Sequence, residues 1–244
     1  MQRAIEGIIV STVDYKESSK IINILTLDEG IIGVVARGSK NLKNHLRTST
    51  MVLSYGVFYL KDDSKRLPVV LEVDIINSFK EIRKDFLKMN YSLFLLELAS
   101  QVFKHDNNCN IYKILISGLI KINEGYDPKI ITNIIEMKFL NNLGIMPNLN
   151  CCVDCGSKNN IVTISSNKGG YLCNNCVLDE YKYDIKTIKL IRMFYYVDIN
   201  KISKLEISDE CKNEINDFLD NYYDQYTGLY LKSKSFLTDL KKLV

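Results

Sequence analysis

Apolar residues gather in five short runs over residues 1–79: AIEGIIVSTVDY, KIINILTLDEG, IIGVVARGSK, MVLSYGVFYLKD and LPVVLEVDIINSF. Turn-forming residues separate them at Asp28-Glu29-Gly30, Gly38-Ser39 and Asp62-Asp63-Ser64, where short polar side chains and glycine favour reversal of the chain. Runs of this length and spacing predict β-strands. Five of them predict a small barrel, because closure removes the exposed strand edges. A sandwich would need about seven strands.

Beyond Phe79 the period changes. In RKDFLKMNYSLFLLELASQVF the apolar positions Phe86, Met89, Leu93, Leu96 and Ala99 recur at steps of three and four, the spacing of one helix face. NIYKILISGLIKI continues in the same way. Asp127-Pro128 is a helix start, with a carboxylate to cap and a proline in the first turn. Gly144 is the expected residue just past that helix, with Pro147 close behind. Two more helical stretches follow, DIKTIKLIRMFYYV and SDECKNEINDFLDNYYDQYTG, then a basic ending, LKSKSFLTDLKKLV. No repeat or low-complexity linker divides these parts.

Between the helices lies the most specific chemistry in the chain: Cys152-x2-Cys155, then seventeen residues, then Cys173-x2-Cys176. Each Cys-x2-Cys pair turns two sulfurs toward one point, and two pairs supply the four thiolates of a tetrahedral Zn2+ site. No fifth or open position remains for catalysis, so the expected role is structural. Gly156 follows the first pair, where a tight turn favours glycine. Cys151 stands beside Cys152 and would need a register shift to replace it; the spacing favours Cys152. IVTI, SSNKGG and YLC between the pairs read as a hairpin. So short an element lacks an apolar core, and metal ligation is expected to supply much of its folding free energy.

Composition adds limits. The 244 residues are 46% hydrophobic and 25% charged, as in ordinary globular proteins, with a net charge of +3,. No run of about eighteen apolar residues occurs, which excludes a transmembrane helix. The first residues also lack a signal-peptide pattern. Seven cysteines, an odd number with four in metal spacing, suit a reducing cytoplasm,. Cys109 and Cys211 are expected as small buried residues.

Charge distribution says more than charge sum. Residues 30–61 contain no acid, and Arg37, Lys40, Lys43 and Arg47 fall within them. The segment ARGSKNLKNHLR reads either as a solvated loop or as a basic loop at the barrel mouth that contacts phosphates. Tyr15, Tyr55, Phe58 and Tyr59 are candidates to stack on bases, although alternation favours the core for Phe58. Lys186, Lys189 and Arg192 lie three apart on one predicted helix, either as a wet face or as an extension of a binding surface. Neither histidine, His45 or His105, sits in a motif, and no phosphate loop or nucleophile signature occurs. An enzyme is not expected.

Together, the residues also carry a family likeness. VDYKESSKIINILTLDEGIIGVVARGSKN, with Tyr15, Glu17, Gly30 and Ala36-Arg37-Gly38, is similar to the start of the bacterial recombination-mediator family RecO. LGIMPNLNCCVDCG with GGYLCNNC resembles its lead into a four-cysteine element, and YLKSKSFL resembles its C-terminal helix. The resemblance covers nearly the whole chain. It implies an α+β multidomain protein: an N-terminal OB-fold β-barrel over residues 1–79, a helical domain in two parts (80–149 and 178–244), and an inserted zinc element over 150–177. It implies binding of single- and double-stranded DNA, annealing of complementary strands, and loading of RecA with RecR on strands coated by SSB, whose C-terminal tail is an expected contact. Arg37, Lys40, Lys43 and Arg47 would be its DNA-binding loop. Such a protein would be cytoplasmic and nucleoid-associated. The alternative is an RNA-binding translation or transcription accessory protein built from the same barrel and zinc parts.

Overall fold

Alternation of apolar and polar residues becomes a closed barrel in the computed structural model, which describes residues 2–63, 65–234 and 237. Strands β1 (Gln2–Tyr15), β2 (Ser19–Thr26), β3 (Ile31–Ala36), β4 (Tyr55–Lys61) and β5 (Val69–Asn77) close in the order β1-β2-β3-β5-β4. All neighbours are antiparallel except β3 and β5. This is the five-stranded OB arrangement. The long first strand makes closure possible. Its first half pairs with β4, from Gln2 opposite Lys61 to Ile8 opposite Tyr55, and its second half pairs with β2. A bulge between Ile9 and Ser11 bends it from one partner to the other,. Inward positions two apart fill the barrel: Ile22 and Ile24, Val34 and Ala36, Phe58 and Leu60. Phe58 is thus core, as its place in the alternation requires.

A four-residue helix, α1 (Leu46–Ser49), lies between β3 and β4 and adds Leu46 to the same core. Periodicity gave no sign of it, because one helical turn is too short to show a period. Helices α2 (Lys80–Lys84), α3 (Phe86–His105) and α4 (Cys109–Asn123) follow. Helix α3 has the expected period but a shifted phase, in which Leu96 and Ala99 of the expected face are buried. Tyr91, Phe94, Leu95, Leu98, Ala99 and Val102 are buried, whereas Phe86 is 65% exposed. Its apolar residues are spread round the helix, so the sequence does not single out the packed side. Cys109 opens α4 and is exposed, contrary to expectation; Cys211 is buried as expected.

The barrel and α1–α4 belong to one compact unit, which the chain rejoins at Leu231; the second unit is Gly125–Tyr230. In the first, the Glu97 carboxylate of α3 accepts the backbone N–H groups of Lys232 (3.0 Å) and Ser233 (2.9 Å). This caps the short helical turn there, and the rest of the helix read in LKSKSFLTDLKKLV lies largely outside the described residues.

The second unit is built on α5 (Pro128–Asn142), buried on nearly every side through Ile130, Ile131, Ile134, Ile135, Phe139 and Leu140. Asp127 caps it, accepting from Lys129 N at 2.9 Å and Ile130 N at 3.4 Å. The other carboxylate oxygen takes Lys212 Nζ at 2.8 Å. Lys212 belongs to α7 (Asp209–Tyr226), and the ion pair to Asp127, with Asp209 beside it, holds its ammonium above the usual lysine range. Tyr223 Oη donates to the Glu136 carbonyl at 2.9 Å. Asp127→Ala should lower stability by about 1–2 kcal/mol, chiefly by loss of the cap. Chemical denaturation reads this directly, and an unchanged midpoint would show that the cap adds nothing.

Candidate metal centre and nucleic-acid interface

Helix α5 ends as read, at a glycine. Gly144 has φ +70°, and the N–H groups of Gly144 and Ile145 return to the carbonyls of Asn141 and Leu140 at 3.1 and 3.0 Å. These two hydrogen bonds satisfy the last carbonyls of the helix and release the chain toward the cysteines,. Asn148 then runs beside strand β7 (Gly170–Cys173), which pairs with β6 (Ile161–Ser165) in a hairpin. Asn148 N donates to Gly169 O at 2.9 Å, and Tyr171 N donates to Asn148 O at 3.0 Å. This clamp fixes the first cysteine pair against the strand that carries Cys173.

Gly170 permits the clamp. A Cβ there would lie 2.6 Å from the carbonyl oxygen of Asn148 and 2.8 Å from its nitrogen, both rigid backbone atoms. Gly170→Ala is therefore expected to destabilise the unit by about 3 kcal/mol, the upper end for overpacking. A drop in the urea midpoint tests this, and wild-type stability would mean that the strands part without cost.

The Asn148 side chain sets the register of the cysteines. Its Oδ1 accepts the N–H groups of Asn150 (3.0 Å) and Cys151 (3.4 Å), and the Cys151 sulfur lies 3.5 Å from its Nδ2. Cys151 is thereby turned to Asn148, and the buried Cys152 joins the cluster. Gly156 N donates to Cys152 O at 2.9 Å with φ +72°, and Cys176 N donates to Cys173 O at 3.0 Å. The two turns bring the sulfurs of Cys152, Cys155, Cys173 and Cys176 within 4.8 Å of one another, with Cys155 and Cys173 3.6 Å apart. Zn–S bonds of ~2.3 Å in a tetrahedron require sulfurs ~3.8 Å apart. The donor set and its spacing therefore fit a metal ion.

The thiols favour partial ionisation before any ion binds. Burial works against the Cys152 thiolate, yet N–H groups of Cys173, Cys155 and Asp154 outweigh it and bring the group down to about 6. Contact with Cys155 and Cys173 pushes Cys176 the other way. One thiolate thus discourages the next. A divalent cation removes that repulsion, which is why metal binding here would release protons.

The second candidate site lies at one end of the barrel. The loop after β3 is pinned by Lys40 N to Ser18 O at 2.9 Å, Gly38 N to Ser19 Oγ at 3.2 Å, and Lys40 Nζ to Asp14 Oδ2 at 2.8 Å. Successive turns follow, with Asn41 N on Gly38 O and Asn44 N on Asn41 O. The Asn44 amide returns to Arg37 O at 3.3 Å. Arg37 and Lys43 stand exposed on this ordered loop, and Arg47 is exposed on α1. None of these three is in an ion pair among the described residues. Lys40 differs, because Asp14 offsets its charge.

Strand register adds cations that the linear sequence did not bring together. Lys20 sits opposite both Asp14 on β1 and Ala36 on β3, so the β1–β2 corner with Lys16 adjoins the basic loop. The Lys16 ammonium lies 5.4 Å from the centre of the Tyr15 ring. The β4–β5 loop, with exposed Lys65 and Arg66, leads to Val69 opposite Val35. In OB-folds these are the loops around which strands bind. Of the aromatic candidates, only Tyr15 lies beside the basic loop. Tyr55 stacks on Phe79 with its hydroxyl on Glu6, and the Tyr59 hydroxyl donates to Asp74 at 2.9 Å.

Comparisons with known proteins agree with this architecture. The family model "Recombination protein O N terminal" matches residues 1–79, and "Recombination protein O C terminal" matches residues 83–235. The chain is 35% identical over 242 residues to a DNA repair protein RecO of Bacillus pumilus, covering 98% of this chain and 94% of that one. The DNA repair protein RecO of Bacillus subtilis gives the same figures. That of Listeria monocytogenes is 34% identical over 241 residues, covering 97% and 94%. The chain belongs to the RecO family. The residues that carried the RecO resemblance mark corners of the barrel. Tyr15 ends β1 and Glu17 lies in the β1–β2 turn, Gly30 (φ +72°) precedes β3, and Ala36-Arg37-Gly38 enters the basic loop. The RecO C-terminal match contains all four clustered cysteines. Among the described residues, no helix is long and apolar enough to cross a membrane.

Proposed function

We propose that the protein is a non-enzymatic mediator of DNA repair and recombination that binds single- and double-stranded DNA and anneals complementary strands. With RecR it helps load RecA on strands coated by SSB, whose C-terminal tail is a partner contact, in the cytoplasm at the nucleoid. The observation that carries this reading is the ordered, acid-free loop presenting Arg37, Lys43 and Arg47 beside Lys16 at the barrel end. Membership of the family supports it.

Annealing requires that repulsion between two phosphate chains be lowered while base edges stay free. Cations that touch phosphates do so without reading sequence. The barrel fixes where Arg37, Lys43 and Arg47 stand, and Lys40 anchors their loop through Asp14. Zn2+ held by Cys152, Cys155, Cys173 and Cys176 would keep the cysteine element folded and leave no open ligand position for chemistry.

Binding of a labelled oligonucleotide at rising salt, with unlabelled DNA or RNA of the same sequence as competitor, tests the reading. About three or four contacted phosphates predict a log–log salt slope of roughly −2 to −3 for single strands. DNA and RNA should compete about equally, since phosphate contacts ignore the sugar. A flat salt response would remove the phosphate contacts. Strong preference for RNA would indicate 2′-hydroxyl recognition and favour the accessory-protein reading.

A further inference from the structure

The second unit presents a helix face that neither the metal centre nor the barrel explains. Helix α6 (Ile185–Tyr196) buries Thr187, Ile188, Ile191 and Phe194. At 3.6 residues per turn, Ile185, Lys189, Arg192 and Tyr196 fall on the opposite side in one stripe, with Lys186 and Met193 along its edge. Ile185 is 55% exposed and Tyr196 60%, and Lys186, Lys189 and Arg192 are exposed as well. The helix contains no acid. None of its three cations is in an ion pair among the described residues.

The acids at its ends are committed elsewhere. Asp184 caps the helix at Lys186 N, and Asp198 caps the next turn at Asn200 N. Glu214 takes the Thr187 hydroxyl at 2.5 Å and Asp184 N at 3.2 Å. The Arg192 guanidinium lies 5.9 Å from the centre of the Tyr196 ring. Tyr195 meets that ring edge-on at 4.8 Å, and Lys138 Nζ holds the Tyr195 carbonyl at 3.1 Å. The stripe therefore offers positive charge over ~9 Å of helix, from Lys186 to Arg192, and ends on an aromatic ring fixed beside a guanidinium.

We propose that the exposed face of α6 is a second single-strand binding surface, on which Lys189 and Arg192 contact phosphates and Tyr196 stacks on a base. Aromatic rings set among cations are the means by which unpaired strands are held without sequence preference. A peptide of Asp and Glu alone would satisfy the charges but give the Tyr196 ring no partner; a base with its phosphate satisfies both. The inference rests on the nucleic-acid reading above and adds to it a place for a second strand, in the unit that does not contain the barrel.

Because the chain contains no tryptophan, Tyr196→Trp in the full-length protein places a single tryptophan at an exposed position, and red-edge excitation reads its emission apart from that of the tyrosines. Titration with oligothymidylate is expected to quench its emission. Quenching should persist when Arg37→Ala and Lys43→Ala are added, and should be lost with Lys189→Ala and Arg192→Ala. Anisotropy of a labelled strand, measured in parallel, separates the two claims. Saturated binding by anisotropy with unchanged emission overturns the α6 surface and leaves the barrel reading standing. Absence of strand binding by anisotropy overturns both. Quenching by an Asp/Glu-rich peptide that also displaces the strand would assign the face to an acidic protein partner and overturn the proposal.

Discussion

Cys152→Ser is expected to abolish metal binding, whereas Cys151→Ser should leave it intact. The two residues are neighbours, but only Cys152 lies in the cluster of four sulfurs; Cys151 is turned to Asn148. Structural zinc sites contribute on the order of 10–16 kcal/mol of apparent binding free energy in small zinc-dependent folds, so loss of one thiolate should reduce affinity by several powers of ten. Elemental analysis after dialysis against a chelator would read about one metal per chain for wild type and Cys151→Ser, and almost none for Cys152→Ser. Equal loss from both variants would place Cys151 in the site. Acid should act in the same direction. The Cys152 thiol sits below its ordinary value, so the stabilisation its thiolate gives is present at high pH and is lost as pH falls through about 6,. Metal release on acidification checks that sign.

Arg37→Ala combined with Lys43→Ala should weaken DNA binding about tenfold or more and flatten the salt dependence by roughly 0.7 for each lost phosphate contact. Both side chains are exposed, so the far-ultraviolet spectrum and melting temperature should stay as in wild type. Lys40→Ala should behave differently. Its ammonium is paired with Asp14, and its removal loosens the loop more than it subtracts charge, giving a smaller change in salt slope. If all three substitutions changed the slope equally, the Lys40–Asp14 pair would be open in solution. If Arg37→Ala with Lys43→Ala left affinity untouched, the phosphates would be held elsewhere on the protein.

Barrel strands and the cysteine hairpin were legible in the sequence because their signals are local. Ile22 and Ile24, or Phe58 and Leu60, alternate within one strand, and two Cys-x2-Cys turns each fold on themselves. Features set by distant partners were not legible. Lys16 and Lys20 join the basic loop only because β1 pairs with β2, and β2 with β3, in a particular register. No composition rule could separate Lys40, which is paired, from Arg37 or Lys43, which are in no ion pair among the described residues. Helix α3 has apolar residues on several sides, so its period was readable but its buried face was decided by packing. Cys109 is an apolar type at a helix start, exposed because the first turn of α4 packs through Ile111 and Tyr112 instead. Tyr55 and Tyr59 alternate as barrel residues should, yet carboxylates of Glu6 and Asp74 claim their hydroxyls.

Strand annealing with no nucleotide present, using two complementary oligonucleotides, one of them coated with SSB, tests the proposed mediator function most directly. The wild-type protein should accelerate annealing, and Arg37→Ala with Lys43→Ala should do so far less. Annealing no faster than without protein, under conditions where the DNA is demonstrably bound, would contradict that function.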